Sequence, residues 1–171
     1  MDIDVSADGY LVFDGKSVRC AIGRGGISAR KTEGDGVTPV GCFPLRHVLY
    51  RPDRIAKLNT RLPVQPIQTA DGWCDDPGDV NYNKPVTLPY PASAENLWRE
   101  DGLYDVIVVL GHNDAPVVPA AGSAIFLHVA RPDFGPTEGC VAVALPDLCD
   151  LLTRCAPTDR ICITAPDAHQ R

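Results

Sequence analysis

Most of the apolar residues in this sequence fall into short runs that are separated by turns. Two such runs flank Asp14-Gly15, a dipeptide that accepts the positive φ angles of a type I′ hairpin turn. The segments LYDVIVVLG (103–111) and SAIFLHVA (123–130) are dense in Val, Ile and Leu, which is typical of buried strands. The segment DRICITAP resembles a closing strand near the end of the chain. The sequence therefore predicts a mostly β fold.

One segment has the spacing of an amphipathic helix. In LPDLCDLLTRCA, Leu148, Leu151, Leu152 and Cys155 recur at i, i+3, i+4 and i+7, and Pro146 suits a first helical turn. A second, short helix is predicted around ENLWRE (95–100).

The 171 residues suit a single domain, 1–171, with its own core. Residues 52–92 hold much of the proline and turn chemistry, together with Trp73 and Tyr82. We expect them to form a long irregular insertion that contributes to a pocket, because long structured loops in compact domains often bind ligands.

Charge and hydropathy exclude two classes of partner. The net charge of −6 argues against binding to nucleic acid, which requires a basic patch. No apolar run approaches the ~18 residues of a membrane-spanning helix, so no membrane partner is expected. The first residues, MDIDVSADGY, lack the basic and apolar regions of a secretory signal. We therefore expect a cytoplasmic location, or a periplasmic one if the native N-terminus was trimmed.

The seven cysteines cannot all pair internally, and their spacing does not indicate a disulfide framework. Most are expected to be small buried hydrophobes in a reducing compartment. A zinc site built from Cys140, Cys149, Cys155 and Cys162 is the alternative, but no C-x-x-C pair supports it. The glycine-rich segment also lacks G-x-G-x-x-G and G-K-[ST]. No metal and no cofactor are therefore predicted.

Four histidines are present, and two of them come at the ends of predicted buried strands. His112 and His128 occupy positions where catalytic side chains often lie, although a hydrogen-bonded framework role is equally open. His47 and His169 are expected to be structural or solvated.

His128 and Cys140 lie on either side of one loop, ARPDFGPTEG. If the flanking segments pair as antiparallel strands, the imidazole meets the thiol at the base of the loop and lowers its pKa toward neutrality. Backbone N–H groups around Gly139 and Cys140 would then serve as an oxyanion hole. A plain core thiol at Cys140 is the alternative.

Two ordered motifs carry a family resemblance. Thr137, Glu138, Gly139, Cys140 and Val141, after His128, resemble the [S/T]-H-G-C-[V/I] motif of the L,D-transpeptidase (YkuD) family, and KTEGDGVTPVGCFPL (31–45) resembles its K-x-G-D-x-x-T-P-x-G-x-F segment. The chain departs from the family pattern at Glu138, where the family has histidine, and at Ala142. These departures put the site of the acceptor in doubt, but they do not affect acylation.

The resemblance implies a β-sandwich or mixed sheet with one or two short helices and a cysteine nucleophile. It also implies a peptidoglycan stem peptide or soluble muropeptide as partner, with Cys140 attacking the peptide and His128 as base. Hydrolysis by an L,D-carboxypeptidase in cell-wall recycling is the leading expectation. A crosslinking L,D-transpeptidase and a muropeptide-binding module without turnover are the alternatives.

The resemblance and the residue types also suggest further pocket residues, each with a purely structural or solvent-exposed role as the alternative. Arg131 would clamp a substrate carboxylate or be solvated, and Glu138 would hold a water or lie at the surface. The set predicted to bind substrate is His112, Arg131, Tyr82, Trp73, Thr137 and Glu138, with His112 as the alternative base and Trp73 and Tyr82 as alternative packing anchors.

Overall fold

The computed structural model describes residues 1–166, so His169 lies outside the described residues. One helix and fourteen strands are formed in this part of the chain. The strands are β1 (Asp2–Ser6), β2 (Tyr10–Phe13), β3 (Lys16–Ala21), β4 (Ile27–Ser28), β5 (Thr38–Pro39), β6 (Gly41–Tyr50), β7 (Val64–Pro66), β8 (Asp71–Cys74), β9 (Pro85–Thr87), β10 (Ala94–Asn96), β11 (Val106–Leu110), β12 (Phe126–Val129), β13 (Val141–Val143) and β14 (Arg160–Ile163), with helix α1 (Leu145–Arg154) before β14.

Nine strands form one mixed sheet in the order β11-β12-β13-β3-β2-β1-β14-β6-β7. The long strand β6 pairs with β14 through its first half and with β11 through its second half, so the sheet closes on itself. Strand β3 likewise pairs with both β2 and β13. The prediction of a mostly β, mixed-sheet fold is confirmed.

The predicted hairpin and helix are both present. Asp14 and Gly15 join β2 to β3 with φ angles of 49° and 75°, the left-handed values that the turn requires. Helix α1 buries Leu148, Leu151 and Leu152, and a proline occupies its first turn.

The second predicted helix is wrong. The segment 94–96 forms strand β10 instead, which pairs with β8 in a separate three-stranded sheet, β10-β8-β9. Pairing with β8 satisfies the backbone of this segment, and Leu97 beside it is buried. Residues 52–92 contain β7, β8 and β9, so this segment is more regular than expected.

Strand β11 separates two apolar clusters because all five of its residues are buried. Val106, Val108 and Leu110 face the main core, which also receives the leucines of α1. Ile107 and Val109 face a second cluster. The residues that complete this cluster include Trp73 of β8, Phe126 of β12, Leu97, Leu103, Tyr104 and Cys140. Cys140 therefore lies on the outer face of the main sheet, under the insertion.

The cysteines depart from one expectation. Cys42 of β6 and Cys162 of β14 lie directly opposite each other and form a disulfide. Of the five free thiols, Cys149 is half-buried and the others are buried. The prediction that most cysteines are buried thiols is thus correct. The spacing of the cysteines along the sequence did not reveal the Cys42–Cys162 pair, which the register of β6 against β14 brings together. Residues 1–166 contain no group of side chains suited to hold a metal ion, and no helix among them is long and apolar enough to cross a membrane.

Candidate active site

Cys140 and His128 line one cavity of about 300 Å³. The predicted antiparallel pairing of their segments is wrong, because β12 and β13 are parallel neighbours. The two side chains still share a face of the sheet. Phe126 and His128 lie on the same face of β12, because successive side chains of a strand point to opposite faces. The Phe126 backbone N–H donates a hydrogen bond to the Cys140 Sγ atom at 3.4 Å. The thiol in turn donates to the Ala124 carbonyl at 3.2 Å.

The thiol is protonated in the free protein. Burial and, to a smaller extent, the charge of Glu95 raise the pKa of Cys140 to about 12. The expectation that His128 would lower this pKa toward neutrality is therefore wrong. Desolvation disfavours the thiolate, and the neutral imidazole offers no positive charge to offset it.

His128 is held as a neutral base. It is buried, and burial lowers its pKa from 6.5 to about 4. Its Nδ1 lies 2.9 Å from the Val129 carbonyl, which fixes the proton on Nδ1 and leaves Nε2 as the acceptor. The ring also packs edge-on against Tyr104, with centroids 5.2 Å apart. Nε2 is therefore the ring nitrogen that can accept a proton in the cavity shared with the thiol.

Hydrogen bonds of Thr137 organise the turn before the nucleophile. Its Oγ1 accepts from the Gly139 N–H at 3.1 Å and donates to the Cys140 carbonyl at 2.6 Å. The Gly139 N–H is therefore occupied and unavailable to an oxyanion. The Cys140 N–H donates to no protein acceptor among residues 1–166, so it is the amide that can stabilise developing negative charge.

The backbone requires glycine at position 139. Its φ is +138°, and a Cβ there would lie 2.9 Å from the Val37 carbonyl oxygen. The Thr38 hydroxyl donates to the Gly139 carbonyl at 2.8 Å. Segments 31–45 and 137–143 are thus parts of one site.

A partly buried ion pair supports the same turn. Lys31 Nζ lies 2.6 Å from Asp35 Oδ1, and the Asp35 carboxylate also accepts from the Thr32 and Val37 amides. These bonds outweigh the cost of desolvation and lower the pKa of Asp35 to about 2. The loop that contacts Gly139 is held in place by this carboxylate.

Arg131 and Glu138 lie at the rim of the cavity. Arg131 is exposed, so its guanidinium is free to meet a substrate that enters. The Glu138 side chain is 83% exposed and pairs with Arg24 at 3.0 Å. Its carboxylate is therefore turned toward solvent.

Trp73, Tyr82 and His112 lie outside the lining of this cavity. Trp73 Nε1 donates to Asn83 at 3.0 Å and its ring packs on Phe126, whereas Tyr82 donates to Glu33 at 3.1 Å. His112 and Trp73 line a second cavity of about 250 Å³. Trp73 and Tyr82 are therefore packed as anchors, which was the alternative role predicted for them.

Sequence reasoning missed several residues of the catalytic cavity. Tyr104 and Glu95 hydrogen-bond to each other beside His128, although β10 and the turn before β11 contribute them separately. No motif marks either one, and their proximity arises from the second sheet. The other lining residues that were missed include Glu33, Asp75, Arg99, Leu103, Ser123, Ala124 and Ile125.

The wall segment 97–101 is anchored by a buried arginine. Arg51 is 2% exposed, and its guanidinium stacks 3.7 Å from the Trp98 ring centroid. It forms two 2.8 Å hydrogen bonds to Asp53 and donates to the Arg99 carbonyl. A planar cation with five donors suits this combination of stacking and bidentate pairing. The segment that follows Glu95 is consequently fixed to the main sheet.

Similarity of this chain to known proteins is found at the level of the family. No curated protein matches the sequence at a significant level. A solved structure, the L,D-transpeptidase from Mycobacterium smegmatis, is similar at 12% identity and a TM-score of 0.47, over 96% of this chain and 58% of that one. The chain thus spans less than two thirds of that protein. The model of the YkuD L,D-transpeptidase catalytic domain matches residues 2–163. The chain belongs to the L,D-transpeptidase catalytic domain (YkuD) family.

Proposed function

We propose that this protein is a cysteine acyl-transfer enzyme that acts on peptidoglycan stem peptides, and that water is its main acceptor. The observation that carries the proposal is the shared cavity of Cys140 and His128, with the Nδ1 proton of His128 fixed on the Val129 carbonyl. The activity would be that of an L,D-carboxypeptidase, which releases terminal D-alanine from a muropeptide tetrapeptide.

The first half-reaction follows from the protonation states. As the Cys140 sulfur bonds to the substrate carbonyl carbon, His128 Nε2 accepts the thiol proton. The Cys140 N–H stabilises the resulting oxyanion. The carbon–nitrogen bond then breaks, and the imidazolium returns the proton to the departing D-alanine amine, which leaves a thioester. Because thiol and imidazole are both neutral at rest, proton transfer must accompany attack.

In the second half-reaction, water loses a proton to His128 Nε2 while its oxygen bonds to the thioester carbon. The carbon–sulfur bond breaks, and the proton passes to the sulfur. The carboxylates that line the cavity favour this outcome over aminolysis. They stabilise the ammonium form of an amine, which is not nucleophilic until it loses a proton.

Crosslinking transpeptidation is the second candidate, and one observation favours it. The Cys42–Cys162 disulfide is of a kind that persists in oxidising compartments. It supports a location outside the cytoplasm, where polymerised wall offers acceptor amines, over the cytoplasmic location expected from the sequence. Blocking thiols in freshly lysed cells and then measuring the mass of the peptides that contain Cys42 and Cys162 would test the location.

Mass spectrometry of the products from a disaccharide tetrapeptide tests the proposed reaction. Tripeptide with free D-alanine supports the carboxypeptidase, and a crosslinked dimer as main product supports the transpeptidase. Binding without either product would indicate a muropeptide-binding module.

A further inference from the structure

Two threonine hydroxyls hold three of the four backbone polar groups of Gly139 and Cys140. Thr137 Oγ1 accepts from the Gly139 N–H and donates to the Cys140 carbonyl. Thr38 Oγ1 donates to the Gly139 carbonyl at 2.8 Å. The fourth group, the Cys140 N–H, has no acceptor among residues 1–166. An amide that stays available beside the nucleophile while its neighbours are held is what an oxyanion donor requires.

Thr38 presents its hydroxyl from a rigid element. The side chain is completely buried. Its backbone pairs with β4, and the Thr38 N–H donates to the Gly26 carbonyl at 2.9 Å. Pro39 follows directly, and a residue before proline is restricted to extended conformations. The position of the hydroxyl is therefore fixed by β4 and β5, independently of the turn that it contacts.

A second hydrogen bond sets the direction in which the Thr38 hydroxyl donates. The Gly23 N–H donates to Thr38 Oγ1 at 2.8 Å, so the oxygen acts as acceptor toward that amide. The hydroxyl proton is then directed at the Gly139 carbonyl. If the peptide unit between Gly139 and Cys140 turned over, its N–H would face the hydroxyl, and the buried proton would lose its acceptor. The hydroxyl therefore discriminates between the two orientations of this peptide unit.

The orientation matters because the peptide unit follows a glycine, whose backbone is conformationally permissive. The Gly139–Cys140 bond is trans, so its C=O and N–H point in opposite directions. Cys140 lines the catalytic cavity and Thr38 does not. A Gly139 carbonyl that is held toward Thr38 thus leaves the Cys140 N–H on the side of the cavity.

We propose that Thr38 is a positioning residue that aims the Cys140 N–H at the oxyanion, by holding the Gly139 carbonyl on the opposite side of the peptide unit. The inference rests on the proposed function for the acyl-transfer reaction in which the oxyanion forms. Steps that create an oxyanion on the substrate depend on the Thr38 hydroxyl. A reaction of Cys140 that creates no oxyanion does not depend on it.

Two small reagents separate these cases on the same thiol. The Cys140 sulfur attacks the carbonyl carbon of p-nitrophenyl acetate, which forms an oxyanion; the carbon–oxygen bond then breaks, p-nitrophenolate leaves and a thioester remains. With iodoacetamide the sulfur attacks the methylene carbon and displaces iodide, which leaves a thioether without an oxyanion. The thiol gives up its proton in both reactions. The ratio of the two rate constants, each corrected for the rate with Cys140→Ala, therefore isolates the oxyanion from changes in thiol reactivity.

Thr38→Val keeps nearly the same side-chain volume and removes the hydroxyl. We expect its rate with p-nitrophenyl acetate to fall about tenfold and its rate with iodoacetamide to stay within about twofold. This loss is smaller than the ~10²–10³-fold effect of deleting an oxyanion donor, because the amide is misdirected but still present. Thr38→Ser retains the hydroxyl and should restore the wild-type ratio to within about twofold. An unchanged ratio in Thr38→Val would overturn the proposal, as would a wild type that reacts with iodoacetamide alone.

Thr164→Val is the matched control. The Thr164 hydroxyl also donates to a backbone carbonyl, that of Val5 at 3.2 Å, but it follows β14 and does not line the cavity. We expect this variant to keep the wild-type ratio. If it changed the ratio as much as Thr38→Val does, loss of any such hydroxyl would be sufficient, and the proposal would fail.

Thr38→Ala is measured beside Thr38→Val, because the valine side chain leaves the buried Gly23 N–H and Gly139 carbonyl without their partner. The alanine variant should show the same fall in ratio. If circular dichroism showed that neither variant folds while Thr38→Ser does, the hydroxyl would serve folding instead of orienting the amide, and the proposal would be overturned.

The proposed function is tested separately, since neither reagent is a peptide. If wild type releases D-alanine from the tetrapeptide, Thr38→Val should lower kcat about tenfold and leave KM within about twofold. A change confined to KM would indicate a role in substrate binding and contradict the proposal. If wild type cleaves no stem peptide, the proposed function fails, and the ratio of the two reagent rates still decides whether Thr38 orients the amide.

Discussion

Two cavities of the protein are each lined by a histidine in or just after a strand of the main sheet, and only one of the two is built for acyl transfer. Burial lowers the pKa of both His128 and His112 to about 4. His128 has its Nδ1 proton on a backbone carbonyl and shares its cavity with Cys140. The Nδ1 of His112 is buried and has no hydrogen-bond partner among residues 1–166, and its ring packs edge-on against Phe43, with centroids 5.3 Å apart. A shifted pKa alone therefore does not identify the base.

The sharpest difference between the cavities is the nucleophile. Cys140→Ala should reduce turnover to background with the fold intact, because no other side chain in the cavity can form the thioester. Release of D-alanine, measured beside circular dichroism, checks this. Cys149→Ala, which removes the half-buried thiol of α1, should retain full activity. Activity of Cys140→Ala within tenfold of wild type would end the assignment of the nucleophile.

Replacing each histidine in turn tests which of the two is the general base. His128→Gln should lower kcat by about 10²–10⁴-fold, the usual contribution of a general base. His112→Gln should keep kcat within about threefold, because His112 lines a different cavity. If the two variants exchanged these effects, His112 would be the base. Wild-type rates in both would contradict a base at either position.

The comparison of the two cavities also shows which features of the structure can be predicted from local sequence signals. Local signals were sufficient for the Asp14-Gly15 turn, since φ preference is a property of the dipeptide, and for α1, since its apolar spacing lies within one helix. Cys140 and His128 were found because a short motif marks them. Glu95 and Tyr104 were not, because they meet only through the pairing of β10 with β8 and the packing of that sheet on β11.

The parallel pairing of β12 with β13 was missed for a related reason. A loop of this length between two apolar runs suggests a hairpin, but β3 occupies the other side of β13 and fixes its direction. The Cys42–Cys162 pair depends on the register of β6 against β14, across 120 residues of sequence. Long-range register is not encoded in local spacing.

The turn before the nucleophile offers a finer test. Thr137→Val removes the hydroxyl that accepts from Gly139 and donates to the Cys140 carbonyl, while Thr137→Ser keeps it. We expect about a tenfold loss of kcat for the valine variant, since two hydrogen bonds that orient the nucleophile are lost. The serine variant should stay within about twofold. Equal losses in both would indicate that the methyl group, not the hydroxyl, matters.

The last test concerns stability in acid, where His112 and His128 act in the same direction. A histidine whose pKa is lowered from 6.5 to about 4 by folding takes up its proton more readily in the unfolded chain. Its contribution to stability is complete above pH 6.5 and is lost as the pH falls toward 4. Glu95, raised from 4.5 to about 7, acts in the opposite direction over nearly the same range.

Since His128 and Glu95 shift by similar amounts and are both deeply buried, their contributions largely cancel between pH 7 and 4.5. The remaining loss in wild type comes from His112, about 2 kcal/mol after allowance for its partial exposure, and from His47, whose pKa burial also lowers. Carboxylates such as Asp35, with a pKa of about 2, contribute only below this range. Urea unfolding at pH 7 and 4.5 should therefore show a loss of unfolding free energy that is smaller in His112→Gln than in wild type by about 2 kcal/mol. An equal loss in the two proteins would show that His112 is not held neutral by the fold, and that the two cavities differ in electrostatics as well as in chemistry.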